Sequence, residues 1–169
     1  SHIKGFSGHV VDLLIIKYGS FLNLIKAASK WNERTIIDLE KHHKDPLMSL
    51  NASKLMSPLV LVDPVQKERN AAAALSNECY EKFIKLSNEF LKKPSAEFFT
   101  KKSIEEIVES KKKSRENIQN MQILTICIKP TKGKRDVVGS KVLKIKEFFG
   151  AELLKKEFKI IWSEWDFNQ

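Results

Sequence analysis

Residues 58–76 read PLVLVDPVQKERNAAAALS. Four consecutive apolar residues, Leu59 to Val62, lie between two prolines, the pattern of a short strand buried on both faces. Pro64 closes it, because proline has no N–H for a ladder and biases Asp63 towards extended geometry. A polar loop, Val65 to Glu68, follows. Ala71 to Ala74 carry the highest intrinsic helix propensity, so Arg69 and Asn70 are expected to open an alanine-rich helix that continues through Ser76 to Lys92. A helix start just beyond a strand end presents unpaired N–H groups to anions. Arg69 would add a planar fork of donors suited to a phosphate or a base edge. Two roles are open to these residues: a ligand site, or an ion pair of Arg69 with Asp63 or Glu68 and a helix cap by Asn70.

With 42% hydrophobic and 30% charged residues in 169, the composition is globular rather than disordered and can bury a real core. The formal net charge is +9. Up to Phe99, 14 basic residues face 11 acidic ones; beyond it, 16 face 10. The excess is therefore concentrated in the later part. Such a field favours a polyanion, nucleic acid foremost, although lysine outnumbers arginine 26 to 4 and a solvated lysine surface would give the same total. Cys79 and Cys127 have no metal-ligand spacing. Two thiols without a secretory signal point to a reducing, cytoplasmic compartment. No apolar run approaches the ~18 residues that a membrane span needs. Ser1-His2 reads as a tag remnant, so the chain is expected to be a piece of something longer.

Outward from the central stretch, Ser7 and Gly19 bracket a helix whose apolar residues (Val10, Val11, Leu13, Leu14, Ile15, Ile16) cover most of its circumference, which predicts deep burial. Ser20 then caps an amphipathic helix from Phe21 to Trp31. Thr35 to Leu39 is a short strand candidate. Glu40 to Ser57 reads as a loop, and His42-His43 with Asp45 invites a metal reading. Adjacent histidines chelate poorly on any regular element and no third strong ligand is nearby, so no metal site is expected. After Pro94, Ser103 with Glu106 forms a capping box for a short charged helix ending in Lys111, Lys112 and Lys113. That basic run suits either a solvated helix end or phosphate contacts.

The later part has a different grammar. Gln122 to Lys129 alternates and is β-branched, as a strand would be. The turn from Pro130 to Arg135 carries Lys132, Lys134 and Arg135. Val137 to Glu157 is a long amphipathic helix, and Lys159 to Phe167 a second strand with Trp162 and Trp165. The expected class is α+β: a helical central domain with a short sheet over residues 1–100, then a β-α-β segment over 101–169 resembling half of a ferredoxin or RNA-recognition-motif sheet. No phosphate loop, nucleophile elbow, metal cluster or carboxylate pair at metal spacing is present, so no catalytic residue is assigned and the chain is expected to supply binding rather than chemistry.

Several blocks resemble the archaeal-type, class I CCA-adding enzymes, the CCA tRNA nucleotidyltransferases. They are GFSGH (5–9) with DLLIIKYGSF (12–21), TIIDL (35–39), LVLVDPVQKERNAAAALS (59–76) and PSAEFF (94–99). More loosely, RDVVGSKVLKIKEFF (135–149) and FKIIWSEW (158–165) match the start of that family's C-terminal domain. The resemblance implies addition of C, C and A to tRNA 3′ ends from CTP and ATP. The catalytic carboxylates and Mg²⁺ would belong to an N-terminal head domain absent from this chain. It further implies that Arg69 helps the RNA 3′ end define the incoming base, that Asn70 and Asp63 shape that corner, and that His9 lies near the nucleotide. The sequence departs from the family at His9, where tyrosine is usual, and at Gln66, where an acidic residue is usual. The implied partners are the tRNA acceptor end, ATP, CTP and the missing catalytic domain, with Lys111 to Lys113, Lys132, Lys134 and Arg135 as RNA contacts. A stand-alone RNA-binding module, or part of a poly(A) polymerase or oligoadenylate synthetase-like enzyme, remains the alternative.

Overall fold

The computed structural model describes residues 4–100, 103–113, 122–129, 133–163 and 165. The chain divides into two units, Ile3–Phe99 and a second holding Thr100–Gln169. In the first, a left-handed Gly19 (φ 77°) separates α1 (Gly8–Tyr18) from α2 (Phe21–Ala28), a backbone conformation glycine adopts without a Cβ penalty. Ser7 and Ser20 accept hydrogen bonds from Val10 N–H and Asn23 N–H, satisfying one orphan donor at each helix start. The burial of α1 is narrower than its sequence suggests. Val10, Leu13 and Leu14 face the core, whereas Val11 and Ile16 are exposed.

Strands β1 (Thr35–Asp38) and β2 (Leu59–Val62) pair in parallel, with Asp38 opposite Val62. Both therefore end side by side. All four β2 residues are inaccessible to solvent, because side chains alternate between two covered faces. Leu59 and Leu61 join Val10, Leu13, Leu14, Leu24, Ile37 and Tyr80 in the main core. Val60 and Val62 pack under Leu50 and Leu55 from the crossover segment, which holds α3 (Pro46–Ser49) and a 3₁₀ turn (Ala52–Lys54) where the sequence suggested plain loop.

The alanine run is not a helix. Residues 71–74 form turns, and α4 (Asn77–Lys92) starts only after Ser76, whose hydroxyl accepts from Cys79 N–H. The chain instead doubles back along the free edge of β2. Asp63 N–H donates to Arg69 O at 3.0 Å, Ala71 N–H donates to Leu61 O at 2.8 Å, and Val62 faces Asn70 in an antiparallel bridge. A helix opening at Arg69 would need that carbonyl to accept from Ala73. It accepts from Asp63, and the local preference of alanine yields to the tertiary pairing. On α4, Tyr80 and Ser87 are the buried positions, and Tyr80 stacks on Trp31 at 5.6 Å while its hydroxyl donates to Asn32 O. Phe98 and Phe99, on a 3₁₀ turn past Pro94, close against Phe90, and Phe99 also meets Phe21.

In the second unit, α5 (Ile104–Lys113) starts on the expected capping box: Glu106 N–H donates to Ser103 Oγ and Ser103 N–H to Glu106 Oε2. The long helix is α6 (Arg135–Lys155). Residues 122–129 and the described residues from 158 onward carry no strand, contrary to the β-α-β reading. Alternating β-branched residues make a strand only when a ladder partner accepts them, and among the described residues none does. The α+β class holds through β1 and β2 alone.

Candidate functional site

The parallel pair delivers Asp63 to the end of β2. Its Oδ1 accepts from Val65 N–H (2.9 Å) and Gln66 N–H (3.1 Å), a turn that Asp-Pro sequences favour because the carboxylate bonds backbone two residues on. Its Oδ2 lies 3.5 Å from both Arg69 Nη1 and His9 Nε2. Only 5% of the Asp63 side chain is exposed, against 53% for Arg69 and 52% for His9. Burial by itself pushes the Asp63 carboxyl up. The two backbone N–H groups, then His9, then the Arg69 charge outweigh it, and the net direction is below the usual carboxylate value. Asp63 is thus a fixed anion at the base of two half-exposed cationic or donor groups.

Arg69 stands between two hollows. One, of about 310 Å³, is lined by His9, Asp63, Val65, Gln66 and Arg69. The other, of about 490 Å³, is lined by Ala71, Ala73 and Ala74 together with Lys54, Gln66, Glu68, Arg69 and Asn70. The small alanine side chains leave open space where larger residues would fill it. The ion pair weighed from sequence is therefore present, with Asp63 as its partner. At 3.5 Å it is longer than a charge-assisted hydrogen bond, and the guanidinium stays half exposed while lining both hollows.

Asn70 stands behind this corner rather than in it. Its Oδ1 accepts from Leu61 N–H (3.0 Å) and Ala72 N–H (2.9 Å), and its Nδ2 donates to Lys54 O (2.8 Å) and Leu59 O (3.1 Å). Those four bonds fill the hydrogen-bonding capacity of an amide, and the residue is 2% exposed. It ties β2 to the return limb and to the 3₁₀ turn, and caps no helix.

The basic residues of the second unit are not drawn into one cluster by anything described. Lys112 and Lys113 are exposed on α5, and Lys113 lies 3.9 Å from Glu109. Lys134 is exposed just ahead of α6, and Arg135 is the first residue of that helix. Lys111 belongs to the last turn of α5. Lys132, and the side chains of Lys111 and Arg135, lie outside the described residues. Sequence reasoning passed over Gln66 and Lys54 as lining residues. It also took His42 and His43 only as metal candidates, whereas each bonds a carbonyl of the Asp63–Arg69 loop.

Residues 1–100 match the family model described as tRNA nucleotidyltransferase, second domain. The chain belongs to the tRNA nucleotidyltransferase family. A CCA-adding enzyme of Methanocaldococcus jannaschii is 35% identical over 167 residues, covering 95% of this chain and 35% of that protein. One from Methanosarcina mazei is 46% identical over 96 residues, 57% of this chain and 19% of its own length. One from Nanoarchaeum equitans is 35% identical over 131 residues, 73% of this chain and 33% of the relative. The chain thus spans about a third, or less, of the length of the curated relatives it matches. Asp63, Arg69 and His9, the three residues gathered at the end of β2, all lie within the family-matched segment.

Proposed function

We propose that this chain contributes the nucleotide-selecting and tRNA-holding part of CCA addition, in which CTP and ATP extend a tRNA 3′ end. The carrying observation is Arg69, braced by a buried Asp63 carboxylate and half exposed between two hollows. A guanidinium so placed can hold a base edge from one hollow and an RNA phosphate from the other. His9, opposite Arg69 across Asp63, would contact the incoming nucleotide, and Asn70 would keep the corner in shape without touching ligand. The exposed Lys112, Lys113 and Lys134, with Lys111, Lys132 and Arg135, would follow the tRNA backbone.

Mg²⁺, which this chemistry implies, does not fit here. One Asp63 oxygen already accepts two N–H groups and the other faces Arg69 and His9, so a divalent cation would meet positive charge instead of ligands. We propose that the phosphoryl-transfer centre belongs to another part of the complete enzyme, and the chain alone is expected to transfer no labelled nucleotide to tRNA lacking its CCA end. Robust incorporation by the pure chain would refute that assignment. In the complete enzyme, Arg69→Lys keeps the charge but loses the fork. Addition should slow by ~30- to 1,000-fold, the equivalent of roughly 2–4 kcal/mol in transition-state terms, with a near-normal melting temperature. A lower melting temperature with normal turnover per folded molecule would reduce Arg69 to a structural ion pair.

A further inference from the structure

Because β1 and β2 are parallel and end together, the chain leaving β1 runs beside the chain leaving β2. Two bonds join them. His42 Nε2 lies 2.8 Å from Pro64 O and His43 Nε2 2.6 Å from Lys67 O. A carbonyl oxygen can only accept, so both rings carry their proton on Nε2 and donate. The two rings reach different carbonyls rather than one common point, which is not how a chelating pair is arranged. Two neighbouring rings thus hold carbonyls three residues apart. His43 is itself held, since its N–H donates to Asp38 Oδ2 at 2.9 Å. Just ahead, Lys41 adopts a left-handed φ of 55°, a conformation that persists in a non-glycine residue only where its surroundings hold it.

We infer that His42 and His43 are positioning residues that clamp the 64–67 loop and, through it, aim Arg69. The path is short. The clamped segment supplies the Val65 and Gln66 N–H groups that hold Asp63 Oδ1, while Arg69 N–H donates to Gln66 O. Asp63 Oδ2 then faces the guanidinium. Without the histidines, the Pro64 and Lys67 carbonyls would bond water, and the loop would keep only its internal turn bonds. His43 is the stronger half of the clamp, because its ring bond is the shorter of the two and its own N–H is tied to Asp38.

This inference rests on the nucleotide-selecting reading of Arg69, and the test separates the two. Amide hydrogen exchange is measured on the whole 169-residue chain for His43→Leu and for His43→Gln, whose Nε2 reaches about as far as the imidazole donor. Leu at 43 should speed exchange at Val65, Gln66 and Arg69 by roughly five- to tenfold, the size expected for one lost hydrogen bond to a neutral acceptor, and leave Tyr80 in α4 unchanged. Gln should restore it. His42→Leu should act in the same direction and less. Uniform acceleration, Tyr80 included, would make His43 an ordinary packing residue, and an unaltered loop would end the proposal outright. In a second arm, the complete enzyme is titrated with ATP in the presence of a tRNA ending in CC. His43→Leu should weaken binding about fivefold in the otherwise unsubstituted enzyme and leave it unchanged in an Arg69→Ala background. Equal weakening in both backgrounds would break the link to Arg69. Should Arg69→Ala leave ATP binding by the complete enzyme unchanged, the nucleotide reading fails, while the exchange arm still decides the clamp.

Discussion

The two units treat similar apolar patterns in opposite ways. In Ile3–Phe99, four residues of β2 are wholly enclosed because each face and each edge has a partner: helices on one side, the crossover on the other, β1 and the return limb along the edges. In the second unit, α6 carries Val137, Ile145, Phe148, Phe149 and Leu154, all exposed, and among its large apolar residues only Val138 is buried. Leu124, Ile126 and Ile128 alternate as a strand should and are exposed as well. An apolar pattern states what a segment could bury. Whether it does so depends on what the rest of the chain brings to it.

Breaking the first unit at its densest point should give the largest effect. Asn70→Ala removes four hydrogen bonds and leaves Leu61 N–H, Ala72 N–H and the carbonyls of Lys54 and Leu59 without that partner. Each buried group left unpaired costs about 1–3 kcal/mol, so a loss of roughly 3–5 kcal/mol is expected even with partial rehydration. Urea unfolding followed by far-ultraviolet circular dichroism measures it. A loss under ~1 kcal/mol would show that the return limb is held by β2 alone.

Much of this unit is legible from residue types. Ser7, Gly19, Ser20 and the proline-bounded LVLV run each announce a local geometry that the fold adopts. Ser76 was an equally good N-cap signal but was masked by the alanines before it. Propensity favours helix at 71–74 by only tenths of a kcal/mol per residue, and one asparagine bonding four backbone groups outweighs that. At the site, Asp63, Arg69 and His9 were named from the sequence, the last through the family resemblance. The histidine clamp was not legible, because it depends on two strands ending at the same level, and that is a fact of register. In the second unit the helices were readable, whereas the strands read from the sequence are not formed among the described residues, since a strand needs its neighbour and a helix does not.

The charge difference between the units sharpens the comparison through salt. The later part carries most of the basic excess. If about three phosphates are neutralised there, tRNA affinity should fall by ~40-fold between 50 and 200 mM salt. Replacing Lys112, Lys113 and Lys134 together by alanine should flatten that slope, as a filter-binding salt series would show. An unchanged slope would show that these three lysines do not contact the RNA.

Asp63 offers a smaller effect with a defined sign. Asp63→Asn keeps the shape and removes the charge between Arg69 and His9, so about 1–2 kcal/mol of stability should be lost at neutral pH, discounted because both partners are half exposed. The native carboxyl titrates below its ordinary value of 3.8. Its contribution is therefore complete above that pH and disappears as pH falls through the lower native value. Stability curves of the two proteins should run parallel from pH 7 to about 5 and converge below 3.8. Curves converging near neutrality instead would show that the Asp63 charge is not what the pair of proteins differs by.

The smallest effect tests the second unit where it looks most like a core. Phe148 stands on α6 with 61% of its surface exposed, beside Phe149 at a ring separation of 6.1 Å. A buried phenylalanine loses about 3–5 kcal/mol on truncation to alanine, through transfer and cavity terms together. With most of the ring in water neither term is large, so Phe148→Ala should cost less than ~0.5 kcal/mol in the 169-residue chain. Thermal unfolding at several protein concentrations supplies the control. A cost above ~2 kcal/mol that grows with concentration would mean that a second copy covers this face. The same cost at every concentration would mean that α6 packs its aromatic face within the chain, and the contrast between the two units would shrink to one of composition.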